Sequence, residues 1–197
     1  MNPYKAVSDF EKTVADYAGS KYAVATDSCT NSLFLCLKYV KAWTVYLPNH
    51  TYVGVAHSVI NAGAMLRWDY YRWEGAYWLR PYPIIDSARR FRKDMYVPDT
   101  FYCLSFHWTK HLPIGRGGMI LLNDKKAMKW LKRARFDGRT EGVPCKEDKF
   151  NQPGYHMYMT PEQASKGLVH MLSIPNYNKD LIERNYPDLS KHKYFGT

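Results

Sequence analysis

The sequence predicts an α/β fold in which a mostly parallel central sheet is flanked by helices. Three observations carry this prediction. Segments with helical spacing of apolar residues alternate with short runs of strand length, small polar or glycine-bearing turns punctuate the changes, and runs such as Pro83-Ile84-Ile85-Asp86 read as fully buried strands. With 197 residues, 46% hydrophobic and 23% charged, the chain is long enough to bury one sizeable core. Residues 1–175 are expected to form a single domain, followed by a polar tail over 176–197.

Val7, Phe10, Val14 and Tyr17 recur at helical spacing and Gly19 follows as a stop, so an amphipathic helix opens the chain. Lys21–Thr26 reads as a strand, Asp27–Ser32 as a small-polar turn and Leu33–Ala42 as a helix. Thr44–Pro48 is the next strand, Thr51–Ala62 a helix closed by Gly63, and Ala64–Tyr70 another strand. Tyr70–Tyr82 is aromatic-rich, has no clear period and reads as a loop. Pro83–Asp86, Thr100–Phe106 and Gly118–Leu122 are strands, and Asp124–Phe136 is a basic helix. Gly138–Pro153 reads as a polar, mobile segment. A last helix begins at Thr160-Pro161-Glu162-Gln163, which pairs a capping Thr with Gln three residues on. From Asn176 onward the expectation is a frayed or partner-bound tail.

No apolar run reaches the roughly 18 residues of a membrane helix, and the first residues lack a signal-like apolar stretch, so the expected location is the cytoplasm. Cys29, Cys36, Cys103 and Cys145 have neither finger nor C-x-x-C spacing and are expected as thiols. His107 and His111 stand four apart with no Glu as in H-E-x-x-H, and glycines follow closely, so no metal is expected. Nine of the ten net positive charges fall in residues 66–135, which points to an anionic partner. Lys125, Lys126, Lys129, Lys132 and Arg133 read as a solvated helix face. Arg89, Arg90, Arg92 and Lys93, just after a strand, read as lining a crevice that could meet a substrate diphosphate.

Four features fall at strand ends, where open α/β sheets place ligands. Ser28-Cys29-Thr30 offers hydroxyls and helix-start amides to a phosphate. Asp86 ends one strand and Ser105 another, and Lys110 lies before the Gly115-Arg116-Gly117-Gly118 run. A phosphate cradle, a strand-end acid and a lysine in a turn are the parts a pyridoxal phosphate site needs.

In this order the motifs resemble the DegT/StrS sugar aminotransferases, from about Phe10 to about Leu172 with gaps. Ser28-Cys29-Thr30-Asn31-Ser32-Leu33 resembles the family's S-G-T-x-A-L, and Pro48-Asn49-His50-Thr51-Tyr52 its P-x-x-T-aromatic. Ile85-Asp86-Ser87-Ala88-Arg89 resembles E-D-x-A-Q, and Ser105–Lys110 resembles S-F-x-x-x-K. Gly154–Thr160 resembles G-Y-N-x-R-M-T. Cys29, Arg89, Arg116 and His156 stand where the family has Gly, Gln, Glu and Asn.

The resemblance implies the large domain of a pyridoxal-phosphate-dependent, fold-type I (aspartate aminotransferase-like) transferase, in a shortened form that lacks the carboxy-terminal small domain. A chain so reduced suits a compact genome such as a virus's, which would put it in host cytoplasm. Lys110 and Asp86 are the implied catalytic residues. Lys110 would form the internal aldimine and shuttle a proton, and Asp86 would pair with the pyridine nitrogen. Ser28, Cys29, Thr30, Tyr52, Arg89, Ser105 and His156 complete the implied cofactor set, Tyr52 by stacking and Arg89 near the phenolic oxygen. The implied reaction moves an amino group from glutamate to a nucleotide-linked keto-sugar in a homodimer with shared sites. The Gly154–Thr160 segment would reach into the neighbour's site. Two other readings stay open. One is a degenerate homologue that binds pyridoxal phosphate or a sugar nucleotide, or serves in assembly, without turnover. The other is a basic nucleic-acid binder, for which no RNA- or DNA-binding motif is present, so neither nucleic acid nor membrane is an expected partner.

Overall fold

Helix α1 (Lys5–Ala18) buries Val7, Phe10 and Val14 on one face and stops at Gly19, whose φ of 83° is a left-handed C-cap. The computed structural model describes residues 4–182 and 185–195, so the first three residues and positions 183–184 and 196–197 of the expected tail lie outside it. After α1 come β1 (Tyr22–Thr26), α2 (Cys29–Tyr39), β2 (Thr44–Pro48), α3 (Val53–Asn61) and β3 (Met65–Asp69). The α2 helix begins four residues before its apolar run, because Ser28 caps it by accepting from the Asn31 amide. Leu33, Phe34, Leu35, Cys36 and Leu37 are all buried, so α2 is a core helix covered on nearly every side.

The aromatic stretch after β3 is not all loop. Tyr77–Trp78 forms a short edge strand, β4, antiparallel to β5 (Ile84–Asp86) with Tyr77 opposite Asp86. Two further strands, β6 (Phe101–Ser105) and β7 (Gly118–Leu122), complete a five-stranded sheet in the order β1-β7-β6-β5-β4. β2 and β3 form a separate parallel pair, joined to the main sheet's neighbourhood by the Tyr46–Arg80 bridge.

The expected mostly parallel sheet is therefore mixed. β1, β5 and β6 run one way, and β7 and β4 run against them. The reversals follow from the connections, since a parallel neighbour needs a crossover long enough for a helix. Residues 106–117 return as a hairpin-like loop, with the Phe106 amide on Gly117 O at 2.9 Å, and β4 reaches β5 through a short turn.

Both faces of this sheet are covered. Val24, Cys103, Ile120 and Leu122 pack towards the α2 side, while Ala23, Ala25, Tyr102, Leu104, Met119 and Leu121 pack towards Phe10 of α1 and Ala164 of α5 (Pro161–Met171). This period-two partition between two apolar layers explains why the strands read as continuous apolar runs. α5 starts at the expected capping box of Thr160 and Gln163.

The basic helix α4 (Lys125–Arg135) is not uniformly solvated. Lys125, Lys126 and Lys129 are exposed, but Lys132 pairs with Glu11 at 2.7 Å, and Arg133 donates to Gly138 O and Asn151 Oδ1. Arg133 thus ties down the 138–153 segment expected to be mobile. Thr140 Oγ1 adds a 3.0 Å bond to Asp148.

Arg135 is 1% exposed and joins Glu11 at 2.5 Å and Glu141 at 2.7 Å. Burial alone would raise the Glu11 carboxyl, yet the Arg135 and Lys132 charges and the Ala25 amide at 2.9 Å outweigh it and hold the group below its ordinary 4.5. Glu11→Ala leaves Arg135 buried without that partner and is expected to cost about 3–5 kcal/mol in urea unfolding. Because the folded value is depressed, this contribution is complete above pH 4.5 and disappears as the pH falls through the lower, folded value. Acid titration of wild type against the variant would read that loss.

Candidate active site

The three co-directed strands end on one side of the sheet, and a cavity of about 420 Å³ opens there. Ser28 and Cys29 follow β1, Asp86 closes β5 and Ser105 closes β6. Each of these residues lines the cavity. Thr30, Tyr52, Arg89 and Lys110 line it as well. Of the residues expected to hold the cofactor, His156 is elsewhere. It is exposed and pairs with Asp137 Oδ2 at 3.1 Å.

The first turn of α2 faces this space with backbone N–H groups that an α-helix leaves unpaired at its start. Ser28 Oγ accepts from Asn31 N and lies 3.2 Å from Asp27 Oδ1, to which it donates. Asp27 is neutralised by Arg116 at 2.7 Å, and Arg116 itself lines the cavity. β7 enters from the opposite direction and passes very close to this turn. A Cβ on Gly118 would overlap the Ser28 carbonyl and sit 2.6 Å from Cys29 N, so only glycine admits the approach. The Gly115-Arg116-Gly117-Gly118 run thus has a packing reason at Gly118.

Asp86 is 5% exposed. Its Oδ1 accepts from Ala88 N at 2.9 Å and its Oδ2 from the Tyr77 hydroxyl at 2.9 Å; Cys29 Sγ lies 3.9 Å from Oδ1. Burial raises the carboxyl above its ordinary value, and the Ala88 amide, Tyr77, the Lys110 charge and Cys29 oppose that rise without cancelling it. Burial also pushes the Cys29 thiol well up, reinforced by the Asp86 charge, so this sulfur is a protonated wall and not a nucleophile.

The outer wall is aromatic. Tyr52 is 53% exposed, with its ring 6.4 Å from that of Tyr186, and the Tyr186 ring stacks at 21° to Trp73. Arg89 lies 5.3 Å from the Tyr186 ring centre and donates to its hydroxyl at 3.3–3.4 Å.

Tyr186 belongs to the tail, whose described residues are neither frayed nor free of the body. Leu181 N bonds Arg89 O at 2.9 Å, Leu189 N bonds Asn49 O at 2.9 Å, His50 Nδ1 meets Tyr186 O at 2.9 Å, and Phe195 is buried against His57 and Trp68. Asp180 takes up two of the four basic residues expected in the crevice, pairing with Arg90 and, at 2.9 Å, with Arg92. The Lys93 amide binds Asn176 O, and neither Lys93, Arg90 nor Arg92 lines the cavity. Arg89 remains there, with Arg116 and Lys110. His111, four residues from His107, donates from Nε2 to Lys179 O at 2.8 Å, and among the described residues no group of three or more His, Cys, Asp or Glu could hold a metal.

Sequence reasoning missed Thr51, Tyr77, Trp73 and Tyr186. Thr51 carried a signal as the threonine of the P-x-x-T motif, but its bond to Tyr77 joins residues 26 apart. Trp73, Tyr77 and Tyr186 lie in segments with no period, and only the folded chain brings them to the site.

The model of the DegT/DnrJ/EryC1/StrS aminotransferase family matches residues 1–66 and 97–185. The segment between, which holds Tyr77, Asp86 and Arg89, falls outside the match. No curated protein sequence matches significantly. Among solved structures, the chain is similar to the sugar aminotransferase CalS13 of Micromonospora echinospora, with TM-score 0.72, 15% identity, 86% of this chain and 61% of that one. It is likewise similar to PseC of Helicobacter pylori, an aminotransferase of pseudoaminic acid biosynthesis, with TM-score 0.74, 16% identity, 87% of this chain and 58% of that one. A DegT/DnrJ/EryC1/StrS aminotransferase of Brucella abortus gives TM-score 0.73, 17% identity, 86% and 59%. The chain thus spans about three fifths of the length of these structures, and at such identities the likeness concerns the fold.

Gly118→Ala is expected to cost about 1–3 kcal/mol in urea unfolding, because Ser28 and Cys29 must move to admit the methyl group. Asp180→Asn weakens the ties to Arg90 and Arg92, and is expected to speed hydrogen exchange over residues 176–182 while amides of β6 and β7 stay protected.

Proposed function

Because the chain belongs to the DegT/DnrJ/EryC1/StrS aminotransferase family, we propose that it is a pyridoxal-phosphate-dependent enzyme that moves an amino group from an amino acid, glutamate, to a nucleotide-linked keto-sugar. One observation carries this reading. A single cavity is lined by a buried carboxylate, a lysine, and a helix start bearing hydroxyls. An ionised carboxylate at the depth of Asp86 is costly unless a cation meets it, and a protonated ring nitrogen is such a cation. The donor set fits the group: anion-binding amides and hydroxyls on one side, an acid on another, and an amine within electrostatic reach of that acid.

In this reading Ser28, Thr30, Ser105 and the first-turn amides of α2 hold the phosphate, aided by the helix dipole. Tyr52 offers its ring face, and Cys29 closes the floor as a neutral thiol. Asp86 keeps the ring nitrogen protonated. When bound, pyridoxal phosphate supplies an electron sink that stabilises a carbanion at the amino-bearing carbon. Lys110 Nζ is the amine that anchors the cofactor and then takes the proton from Cα of the donor. Arg89 and Arg116 are the cavity's guanidinium groups for the anionic parts of donor and acceptor. A homodimer, in which the segment around His156 meets the neighbour's cavity, and action in the cytoplasm complete the proposal.

A second reading, a homologue that binds pyridoxal phosphate or a sugar nucleotide without turnover, or serves in assembly, is favoured by a particular contact. Tyr186 already occupies the face of Arg89 inside the cavity, and Asp180 holds Arg90 and Arg92.

An absorption spectrum with pyridoxal phosphate separates these readings. A visible band that needs Lys110, is lost in Lys110→Ala and changes when glutamate is added is the expected result. A band that no amino acid changes supports the second reading. No band in the wild type overturns the cofactor assignment.

A further inference from the structure

Tyr77 is a buried titratable side chain for which the proposed chemistry has no stated use. It is 3% exposed, sits on the edge strand β4 in direct register with Asp86, and packs its ring against Trp73 with centroids 4.6 Å apart. Its hydroxyl lies 2.9 Å from Asp86 Oδ2 and 2.6 Å from the buried Thr51 hydroxyl. The directions of these bonds are determined. A carboxylate can only accept, so the single Tyr77 proton goes to Asp86, and the Thr51 hydroxyl must then donate to the Tyr77 oxygen. A donor whose own oxygen accepts a hydrogen bond is polarised and donates more strongly.

We infer that Tyr77, backed by Thr51, is a positioning residue that orients the Asp86 carboxylate and keeps it ionised towards the cation it is to meet in the cavity. The inference rests on the proposed cofactor only for the identity of that cation, the protonated ring nitrogen; the effect on Asp86 belongs to the chain alone. Burial raises the Tyr77 phenol well above its usual range, with the Asp86 charge adding to the rise, so Tyr77 stays a proton donor at any working pH. The other groups facing Asp86 are Cys29 on α2, Cys103 on β6 and Lys110 in the loop after β6. The two thiols are held protonated by burial, the Cys29 thiol reaching Oδ1 only at 3.9 Å, and Lys110 acts by charge, so Tyr77 and the Ala88 amide, each at 2.9 Å, are the close neutral donors that hold the carboxylate in one orientation. Ala88 fixes one oxygen and Tyr77 the other.

The test is an aspartate carboxyl ¹³C titration of the full chain, with the Asp86 signal identified by its loss in Asp86→Asn. Tyr77→Phe removes one hydroxyl and retains the ring against Trp73. It is expected to raise the Asp86 midpoint by about one pH unit, a tenfold gain in proton affinity, with the melting curve still cooperative. Thr51→Val is expected to move it in the same direction by less, and serves if Tyr77→Phe does not fold. An Asp86 titration equal to wild type in both variants overturns the inference. Whether the wild type binds pyridoxal phosphate is read separately from its visible band. A missing band with a shifted Asp86 signal overturns the cofactor reading and leaves the role of Tyr77 standing.

Discussion

Asp86 ends β5 with its carboxylate almost wholly out of water, and at that depth the charged form persists only where neighbours supply what water would have given. That requirement organises its surroundings. β4 brings Tyr77 opposite it, the turn after β5 points the Ala88 amide back at it, and the loop between β6 and β7 carries Lys110 within electrostatic reach. β4 is only two residues long, and its register sets Tyr77 directly against the acid.

The convergence is also a matter of strand direction. β1, β5 and β6 run together, so the groups that follow or close them fall on the same side, where the helix dipole of α2 adds its positive end. β7 runs against them and must pass beneath the α2 start, which the missing side chain of Gly118 allows. The antiparallel strand therefore shapes the site by lending no side chain at the point of closest approach.

The tail redistributes the charge that composition alone assigned to a ligand. Asp180 takes the guanidinium groups of Arg90 and Arg92, leaving Arg89 to meet Tyr186 at the cavity wall. A cluster of four basic residues in sequence thus divides into two structural ion pairs, a surface lysine and one cavity cation. The helix α4 divides in the same way. Its exposed lysines are solvated, while Lys132 and Arg135 are drawn to Glu11, because a buried carboxylate gains more from close cations than surface pairs do.

Most of the elements were legible in the sequence, because each is specified locally. Thr44–Pro48 and Gly118–Leu122 are strands with the expected bounds, and the Thr160–Gln163 box opens α5 as its spacing required. The residues at the strand ends were legible for the same reason: Ser28, Asp86, Ser105 and Lys110 each follow a recognisable apolar run. Strand direction was not legible, since it depends on whether a connection crosses over or turns back, and residues 106–117 carry no pattern that decides it. Nor were Tyr77, Trp73 and Tyr186, whose places depend on contacts between segments far apart in the chain. Local spacing determined which groups could do chemistry. Only tertiary packing decided which of them share one cavity, because desolvation, pairing and register are properties of neighbours in space.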